Sequence, residues 1–593
     1  MKELDIAMVN SSNTIVTVST CCDPLCAPLV HPHDEEDTMV AAVDYKHNPA
    51  VRSKTGRWRS AGFIIGVEMA ERIAYYGIQC NLITFLTEEL RQSTATAAAN
   101  VNAWAGVASL LPICGAVIAD SYLGKYCTII SASLIYILGL ALLTLSAMLP
   151  SLNCPTNGRS IKSVPRCLSH LQTMIFFGAL YLVALGQGGH KPCVQAFGAD
   201  QFDGTDPEES KAKSSFFNWW YFGLSSGALL GIAVLSYVQD NFSWGLAFGI
   251  PCIVMLIALL VFILGTFTYR FIKISEKQTP FSRIGRVFIR AARNRHAKSF
   301  VPEDEEESQF IESLRGSEQF RFLDKALLSP DTSKLPGTVS SKSEVEEAKA
   351  LLSLFPIWAT NLVFGIVFAQ ISTFFTKQGV TLDRSVGPSF KIPAAGLQSF
   401  MGIFIIIFLP IYDCLLVPFV RRFTGKPSGI SVLQRIGIGL FISILSMVVA
   451  AIVEKRRLNI ALHYGLVDLP NSTIPMSIWW LLPQYALFGI ADGFTIVGQQ
   501  EFFYDQVPVE LRSVGIALYL SVLGVGNFLS SILVLLVDKL TTNEIESSWL
   551  TDNLNRAHLD YFYWSLAFLS SIGFVLFLYF SRSYIYTNSK IHM

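Results

Sequence analysis

The chain has 593 residues; 51% are hydrophobic, only 15% are charged, and 45 basic side chains balance 45 acidic ones at a mean hydropathy of +0.44. A soluble chain carries about 25% charged residues, so this one lacks the charge to coat a water-facing surface. Its apolar residues gather in blocks of about 20, the length that crosses a hydrocarbon core about 30 Å thick. The composition predicts a polytopic protein embedded in a lipid bilayer, with no nucleic-acid partner.

In chain order, residues 1–60 are polar and without periodicity, and no apolar run follows the start as a signal peptide requires. They predict a disordered cytoplasmic tail. Its Cys21, Cys22 and Cys26 read as reduced thiols rather than acylation sites, and HPHDEED (31–37) as solvated charge rather than a metal site. Hydropathy then marks spans near 61–90, 95–119, 126–149, 170–199, 213–238 and 243–269. After a polar stretch, further spans lie near 348–377, 393–420, 431–455, 476–503, 510–538 and 561–584. The pattern predicts an all-α membrane protein with 12 transmembrane helices in two six-helix halves. That is the architecture of the major facilitator class. The expected units are the tail 1–60, a bundle over 61–269, a linker over 270–347, a bundle over 348–584 and a tail over 585–593.

Arg52, Lys54, Arg57 and Arg59, with Lys211, Lys213, the basic residues of 283–298, and Arg421, Arg422 and Lys426, fall on one side of these spans. By the positive-inside rule that side is the cytoplasm, and both termini lie in it. Lys455-Arg456-Arg457 falls on the wrong side. PFSRIGRVFIRAARNRH (280–296) sets Phe281, Ile284, Val287 and Phe288 on one face among five arginines, a pattern for an amphipathic helix on the cytoplasmic leaflet. EDEEE (303–307) reads as a solvated linker. On the opposite side, Cys154 and Cys167 share a loop that permits a disulfide, and Asn471-Ser-Thr is a glycosylation sequon.

Charges inside the spans cannot be filler, since each costs at least about 2.5 to 3.5 kcal/mol at mid-helix. They are Glu68, Glu71, Arg72, Lys191 and Asp492. At about 1.5 Å per residue, Glu71 lies about 15 Å deep, Lys191 about 12 Å and Asp492 about 16 Å, which puts all three at one level from both halves. Glu68, Glu71 and Arg72 are spaced i, i+3 and i+4, so they share a helical face. Two carboxylates sharing one guanidinium titrate as a coupled group, one proton binding more readily than to a fully paired acid. That is the chemistry of a proton carrier; a charge cluster that locks the helix to a neighbour is the alternative.

GVEMAERIAYYG (66–77) contains an ExxER motif, and with it the chain resembles the proton-coupled oligopeptide transporters, whose plant branch is the nitrate/peptide transporter family. GAVIADSYLGKYCTI (115–129), GQGGHKPCVQAFGADQFD (186–203), FFNWWYFGLSSGALL (216–230), FRFLDKALL (320–328) and LLSLFPIWATNLVF (351–364) carry the likeness onward. QEFFYDQVPVELRSVGIALYLS (500–521) and LNRAHLDYFYW (554–564) look most like plant subfamily 5. The resemblance covers nearly all of the chain beyond the tail. It implies proton coupling through Glu68, Glu71 and Arg72. It also implies that Lys191 pairs with Asp492 across the two halves, closing the cytoplasmic side until substrate and proton weaken the pair.

The same resemblance implies a substrate-binding and gating set of Lys191, Asp492, Tyr76, Gln79 and Phe368, with two departures. Peptide-binding members carry an arginine where this chain has Gln79, which lacks the bidentate fork. A dual-affinity nitrate member uses a histidine where this chain has Phe368. Thr128 matches a phosphorylated threonine, a helix-start role being the alternative. His190 reads as a buried neutral ring bonded to a carbonyl, or as a pH-sensitive contributor. The ExxxLL string at Glu347–Leu352 merges into a span and is discounted as a sorting signal.

The expected function is a symporter of a small anionic or zwitterionic solute, low-affinity nitrate first, then di- and tripeptides or a plant metabolite or hormone. A solute sensor is the competing class. No enzyme constellation, metal or organic cofactor is expected, only protons as the coupling ion. The plasma membrane and the vacuolar membrane are the expected locations.

Overall fold

The computed structural model describes residues 38–149, 170–203, 206–272, 280–294, 320–326 (save 321 and 324), 342–387, 390–424, 430–508, 511–542 and 548–584. Two strands open it, β1 (Thr38–Val43) and β2 (Pro49–Val51). The first helix is α1 (Arg57–Gln79), followed after a break by α2 (Leu82–Glu88). Ser93 caps α3 (Thr94–Ile118) by accepting the Thr96 N–H. Gly124, at φ +75°, ends the turn that leads into α4 (Gly124–Met148), a left-handed conformation open to glycine without a side-chain penalty. Then come α5 (His170–Ala199), α6 (Pro207–Leu230), α7 (Ser236–Asn241) and α8 (Trp244–Leu264). Asp206 caps α6 through the Glu208 and Glu209 N–H groups, with Pro207 at the first helical position, where a missing N–H is harmless.

Strand β3 (Phe271–Ile272) and helix α9 (Pro280–Arg293) precede α10 (Lys342–Ser353), α11 (Phe355–Phe368) and α12 (Phe374–Val380). The remaining helices are α13 (Gln398–Ile411), α14 (Val417–Thr424), α15 (Val432–His463), α16 (Leu482–Asp505), α17 (Arg512–Thr541) and α18 (Leu559–Ser583). A capping box between Ser431 and Gln434 starts α15.

Among the described residues, nine helical stretches are long and apolar enough to cross a membrane. That measure takes 94–148 as one stretch of 55 residues, about 80 Å if straight, and leaves out α1, where buried charges lower the apolarity. On α8, Ile253, Leu256, Ile257 and Leu260 are exposed, and on α4 Leu134, Leu138 and Leu145. Apolar faces of this length, turned outward, need lipid as their solvent. This is a multi-pass membrane protein.

Helices α1 and α3–α8 pack on one another, and α11 and α13–α18 do likewise. The two groups meet chiefly along α3 and α17. There Asn102 donates to Ser530 Oγ at 3.0 Å and Ser531 Oγ to the Ala99 carbonyl at 2.9 Å. Gly106 faces the Gly524 carbonyl so closely that a Cβ on it would stand 3.0 Å away, the small-residue packing that lets membrane helices approach.

Three expectations change. Residues 38–56, assigned to a disordered tail, are ordered: β1 pairs antiparallel with both β2 and β3. The reason lies in the charges beneath them. Arg270, fully buried, donates to Glu209 Oε2 at 2.6 Å, Arg57 donates to Glu209 Oε1 at 2.7 Å, and Arg52 reaches Asp203 at 2.6 Å. Burial works against the charged form of Glu209, but hydrogen bonds from Arg270, the Asp203 N–H and Arg57 outweigh it and hold the carboxyl at about 2. The amphipathic face of α9 meets protein rather than a lipid leaflet: Ile284, Val287 and Ala291 are buried, and Val287 and Ala291 cluster with Leu323, Ala326, Val345 and Ala348. The misplaced basic run at 455–457 is accounted for locally. Arg457 is buried in an ion pair with Glu454, and Arg456 lies 4.0 Å over the Trp480 ring.

Candidate functional site

Glu68, Glu71 and Arg72 occupy one face of α1, and all three are buried. Arg72 Nε lies 2.7 Å from Glu68 Oε1 and 2.9 Å from Glu71 Oε2. One guanidinium nitrogen thus serves two carboxylates. The groups are not satisfied beyond that. Glu68 Oε2, both Glu71 oxygens and Arg72 Nη2 are buried without a hydrogen-bond partner. Buried polar atoms are rarely left so, and each orphan costs about 1–3 kcal/mol, more for charged groups.

The neighbouring helices press close because their contact residues are small. A Cβ on Gly227 of α6 would sit 2.5 Å from the Met69 carbonyl oxygen and 2.9 Å from Arg72 Cβ. Gly186 of α5 lies as close to Tyr136 of α4, whose hydroxyl is directed at Glu71 without reaching hydrogen-bond geometry. Lys191 follows on α5, next to Pro192, which lacks the N–H that would bond the Gly188 carbonyl. Its ammonium acts on Glu71 electrostatically, as do Glu68 and Arg72. Lys191 makes no ion pair or hydrogen bond among the described residues.

The expected cross-half pair is not made: no ion pair joins Lys191 to Asp492, and Asp492 Oδ1 on α16 is buried and unpartnered. Its carboxylate instead shares electrostatic surroundings with the phenols of Tyr76, Tyr221 and Tyr519. The helix groups are joined elsewhere, near the ends of α2, α7 and α12. Arg384 binds Asp240 at 2.6 Å, and Lys377 donates to Thr87 Oγ1 at 2.9 Å.

Of the substrate-set residues, Gln79 ends α1 half-buried, and Phe368 packs its ring 6.4 Å from Phe364 and 6.0 Å from Phe488. Thr128 is buried with its hydroxyl donated to the Gly124 carbonyl at 2.8 Å, a helix-start bond. His190 is buried as expected, but neither ring nitrogen has the carbonyl partner anticipated for it. Asn471 is exposed, and Cys154 and Cys167 lie outside the described residues.

A second buried charge cluster was missed because the predicted span ended at 455, whereas α15 runs to His463. Glu454 and Arg457, both fully buried, are paired through two contacts. Gln378 donates to Glu454 Oε2 at 2.8 Å, and Arg457 reaches Asn555 Oδ1 at 2.8 Å and the Leu554 carbonyl at 2.6 Å. The i, i+3 spacing of glutamate and arginine was the available signal.

A family model described as the POT family matches residues 126–550. The chain belongs to the POT family. Protein NRT1/PTR FAMILY 5.10 of Arabidopsis thaliana is 58% identical over 554 residues, covering 93% of this chain and 98% of that protein. This POT chain is therefore a transporter and not an enzyme, and it sits with the plant subfamily 5 proteins. An auto-inhibited POT family peptide transporter matches its fold at a TM-score of 0.68, with 22% identity, over 90% of this chain and 98% of that one. The POT transporter PepTSo matches at 0.66, with 21% identity, over 88% and 98%.

Proposed function

We propose that the chain is a proton-coupled symporter of a small anionic or zwitterionic solute, working by alternating access with both termini in the cytoplasm. The observation that carries this reading is the Glu68–Glu71–Arg72 cluster. Two buried carboxylates share one guanidinium nitrogen, and three of their four oxygens accept no hydrogen bond, Glu71 Oε2 being held only by its ion pair with Arg72. A proton arriving on Glu71 would remove a buried charge and release Arg72 towards Glu68 alone. A cluster serving only to lock a helix would be satisfied by its neighbours, as Glu454 and Arg457 are.

The centre also offers an anion two cationic donors. Arg72 Nη2 has no partner, and Lys191 is not tied to Asp492. Nitrate is the first cargo on this ground, bound weakly because Phe368 offers it no donor. Di- and tripeptides come second, since Gln79 supplies no guanidinium for a peptide carboxylate; a plant metabolite or hormone comes third. With the Lys191–Asp492 pair open and the Arg384–Asp240 pair made, this conformation faces the cytoplasm.

Uptake into oocytes tests the reading across nitrate, dipeptides and hormones at acidic and neutral external pH, with Glu71→Gln beside the wild type. Acid-stimulated uptake of one cargo, lost in Glu71→Gln, is expected. Uptake indifferent both to pH and to that substitution would remove proton symport and leave the sensor reading.

A further inference from the structure

Three short segments of the second helix group reach the first group at the end where α1 stops. Lys377 of α12 donates to Thr87 Oγ1 of α2 at 2.9 Å. Arg384 binds Asp240 of α7 at 2.6 Å. Asp552 Oδ1 accepts the Thr94 N–H at the start of α3 at 2.7 Å. Holding a long side chain in one such contact costs rotamer freedom, so each contact depends on how firmly the backbone beneath it is fixed.

One buried pair fixes all three segments. Gln378, next to Lys377, donates to Glu454 Oε2 at 2.8 Å. Thr381, three residues before Arg384, accepts from Arg457 Nη1 at 3.3 Å. Just beyond Asp552, the Leu554 carbonyl and Asn555 Oδ1 accept from Arg457 at 2.6 and 2.8 Å. Between Thr381 and Arg384 runs β4 (Leu382–Asp383), which pairs in parallel with β7 (Ile474–Ser477), and the Thr381 carbonyl accepts the Ile474 N–H at 2.9 Å. Past Arg384, β5 (Ser385–Val386) and β6 (Phe390–Lys391) form a hairpin, and Phe390 stacks on Tyr237 of α7 with ring centroids 6.1 Å apart. With Nε and Nη2 of Arg457 on Glu454, Nη1 is left to bridge Thr381 and Asn555. A planar fork suits that task, and a lysine, with a single nitrogen, does not.

We propose that Arg457, seated on Glu454, is the positioning residue of an outer lid: it sets these segments where Lys377, Arg384 and Asp552 meet the first helix group. The lid rests on the alternating-access reading above, in which this end is closed while the centre faces the cytoplasm. Its contacts break when the end opens, and Arg457 makes the segments that carry them move as one unit. Cys80 is a native reporter of that opening. It is 1% exposed, packs with Ile232 and Ala395, and its carbonyl accepts from Gln398 Nε2 of α13 at 2.8 Å. Parting the two groups uncovers it.

The test is the rate at which a polar methanethiosulfonate labels Cys80, followed by mass spectrometry of its peptide, on the full-length protein in lipid nanodiscs without cargo or pH gradient. Arg384→Gln should raise that rate about fivefold, the upper worth of a part-exposed ion pair. Arg457→Lys keeps a charge against Glu454 but loses the fork, and should raise it about threefold. Thr381→Val keeps the shape and removes the hydroxyl that Arg457 meets; it should give about twofold and carries the test if Arg457→Lys fails to fold. In the Arg384→Gln background, Thr381→Val should add nothing and Arg457→Lys less than it adds to the wild type, whereas a general loosening of the helices would multiply in full. Wild-type labelling in Arg384→Gln overturns the lid. Wild-type labelling in the folded Arg457→Lys and Thr381→Val variants, or full multiplication in the double variants, overturns Arg457 as its positioning residue. Failure of proton symport in oocytes leaves these rates unchanged, so the two readings fail separately.

Discussion

Two buried clusters in this protein are made of the same chemistry and left in opposite states. On α15, Glu454 and Arg457 are both fully buried, and Gln378, Asn555 and the Leu554 carbonyl complete their bonding. On α1, Glu68, Glu71 and Arg72 are as deeply buried, but four of their polar atoms make no hydrogen bond. A satisfied buried pair rigidifies its surroundings, whereas a partly satisfied one is held at a standing penalty. Evolution tolerates such a penalty where a group must change its charge or its partner during function. The first cluster fastens α15 to its neighbours. The second is poised to move.

The comparison breaks if the two respond alike to losing a charge. Glu71→Gln should reduce acid-stimulated uptake to background while the protein purifies and melts like the wild type, because the substitution removes an unsatisfied charge. Arg457→Leu should do the reverse and cost about 3–5 kcal/mol of stability by stranding Glu454. Thermal unfolding in detergent would show it as a large drop in Tm. The double variant Glu454→Leu/Arg457→Leu should recover much of that loss, since an apolar replacement of a whole buried pair is often neutral or better. A double variant less stable than Arg457→Leu alone would mean that the cluster does more than fasten helices.

A third cluster, at the first turns of α1 and α6 before the apolar part of α6 begins at Ser215, sharpens the contrast through pH. Glu209 is held at about 2, below its ordinary 4.5, by Arg270, the Asp203 N–H and Arg57. A carboxyl whose folded pKa is depressed contributes stability in full above its unfolded pKa and loses it as the pH falls through the folded one. Glu209→Gln should therefore lower stability by about 2–3 kcal/mol at neutral pH. The gap between variant and wild type should close as the pH falls from about 4.5 towards about 2. Tm measured against pH for both proteins checks this, and a gap constant over that window would contradict it.

The sequence made the charge cluster of α1 legible because membrane depth turns three ionisable residues at i, i+3 and i+4 into an anomaly. Span positions were legible for the same reason of apolar length: 170–199 was placed at the bounds α5 has. What escaped depends on long-range partners. The strands at 38–51 are held by Arg270 and Glu209, more than 150 residues on, and no local period announces them. The face of α9 reads as a lipid-binding helix until its partners at Leu323 and Val345 are known. The separation of Lys191 from Asp492 is a property of one conformation, and a sequence encodes all of them at once. Glu454 was hidden by a boundary, since a span ending at 455 leaves it at the cheap rim of the membrane.

The smallest expected effect probes how far the α15 cluster can be moved towards the condition of α1. Gln378 gives Glu454 Oε2 a hydrogen bond at 2.8 Å, and its own oxygen accepts one from Gln484 at 3.2 Å. Gln378→Leu deletes both while Arg457 stays against Glu454, so the pair survives with one oxygen less well served. The loss should be about 1–2 kcal/mol, a lost hydrogen bond rather than a stranded ion. Uptake should keep its dependence on external pH, because the acceptor left less satisfied belongs to α15 and not to the α1 cluster. If Gln378→Leu instead made uptake less steep in pH, Glu454 would be taking up protons too, and an unsatisfied carboxylate at this depth would suffice to create a proton site. An unchanged pH profile with a small fall in Tm would show that orphaned oxygens are not enough. The second carboxylate competing for one arginine nitrogen is then what sets α1 apart.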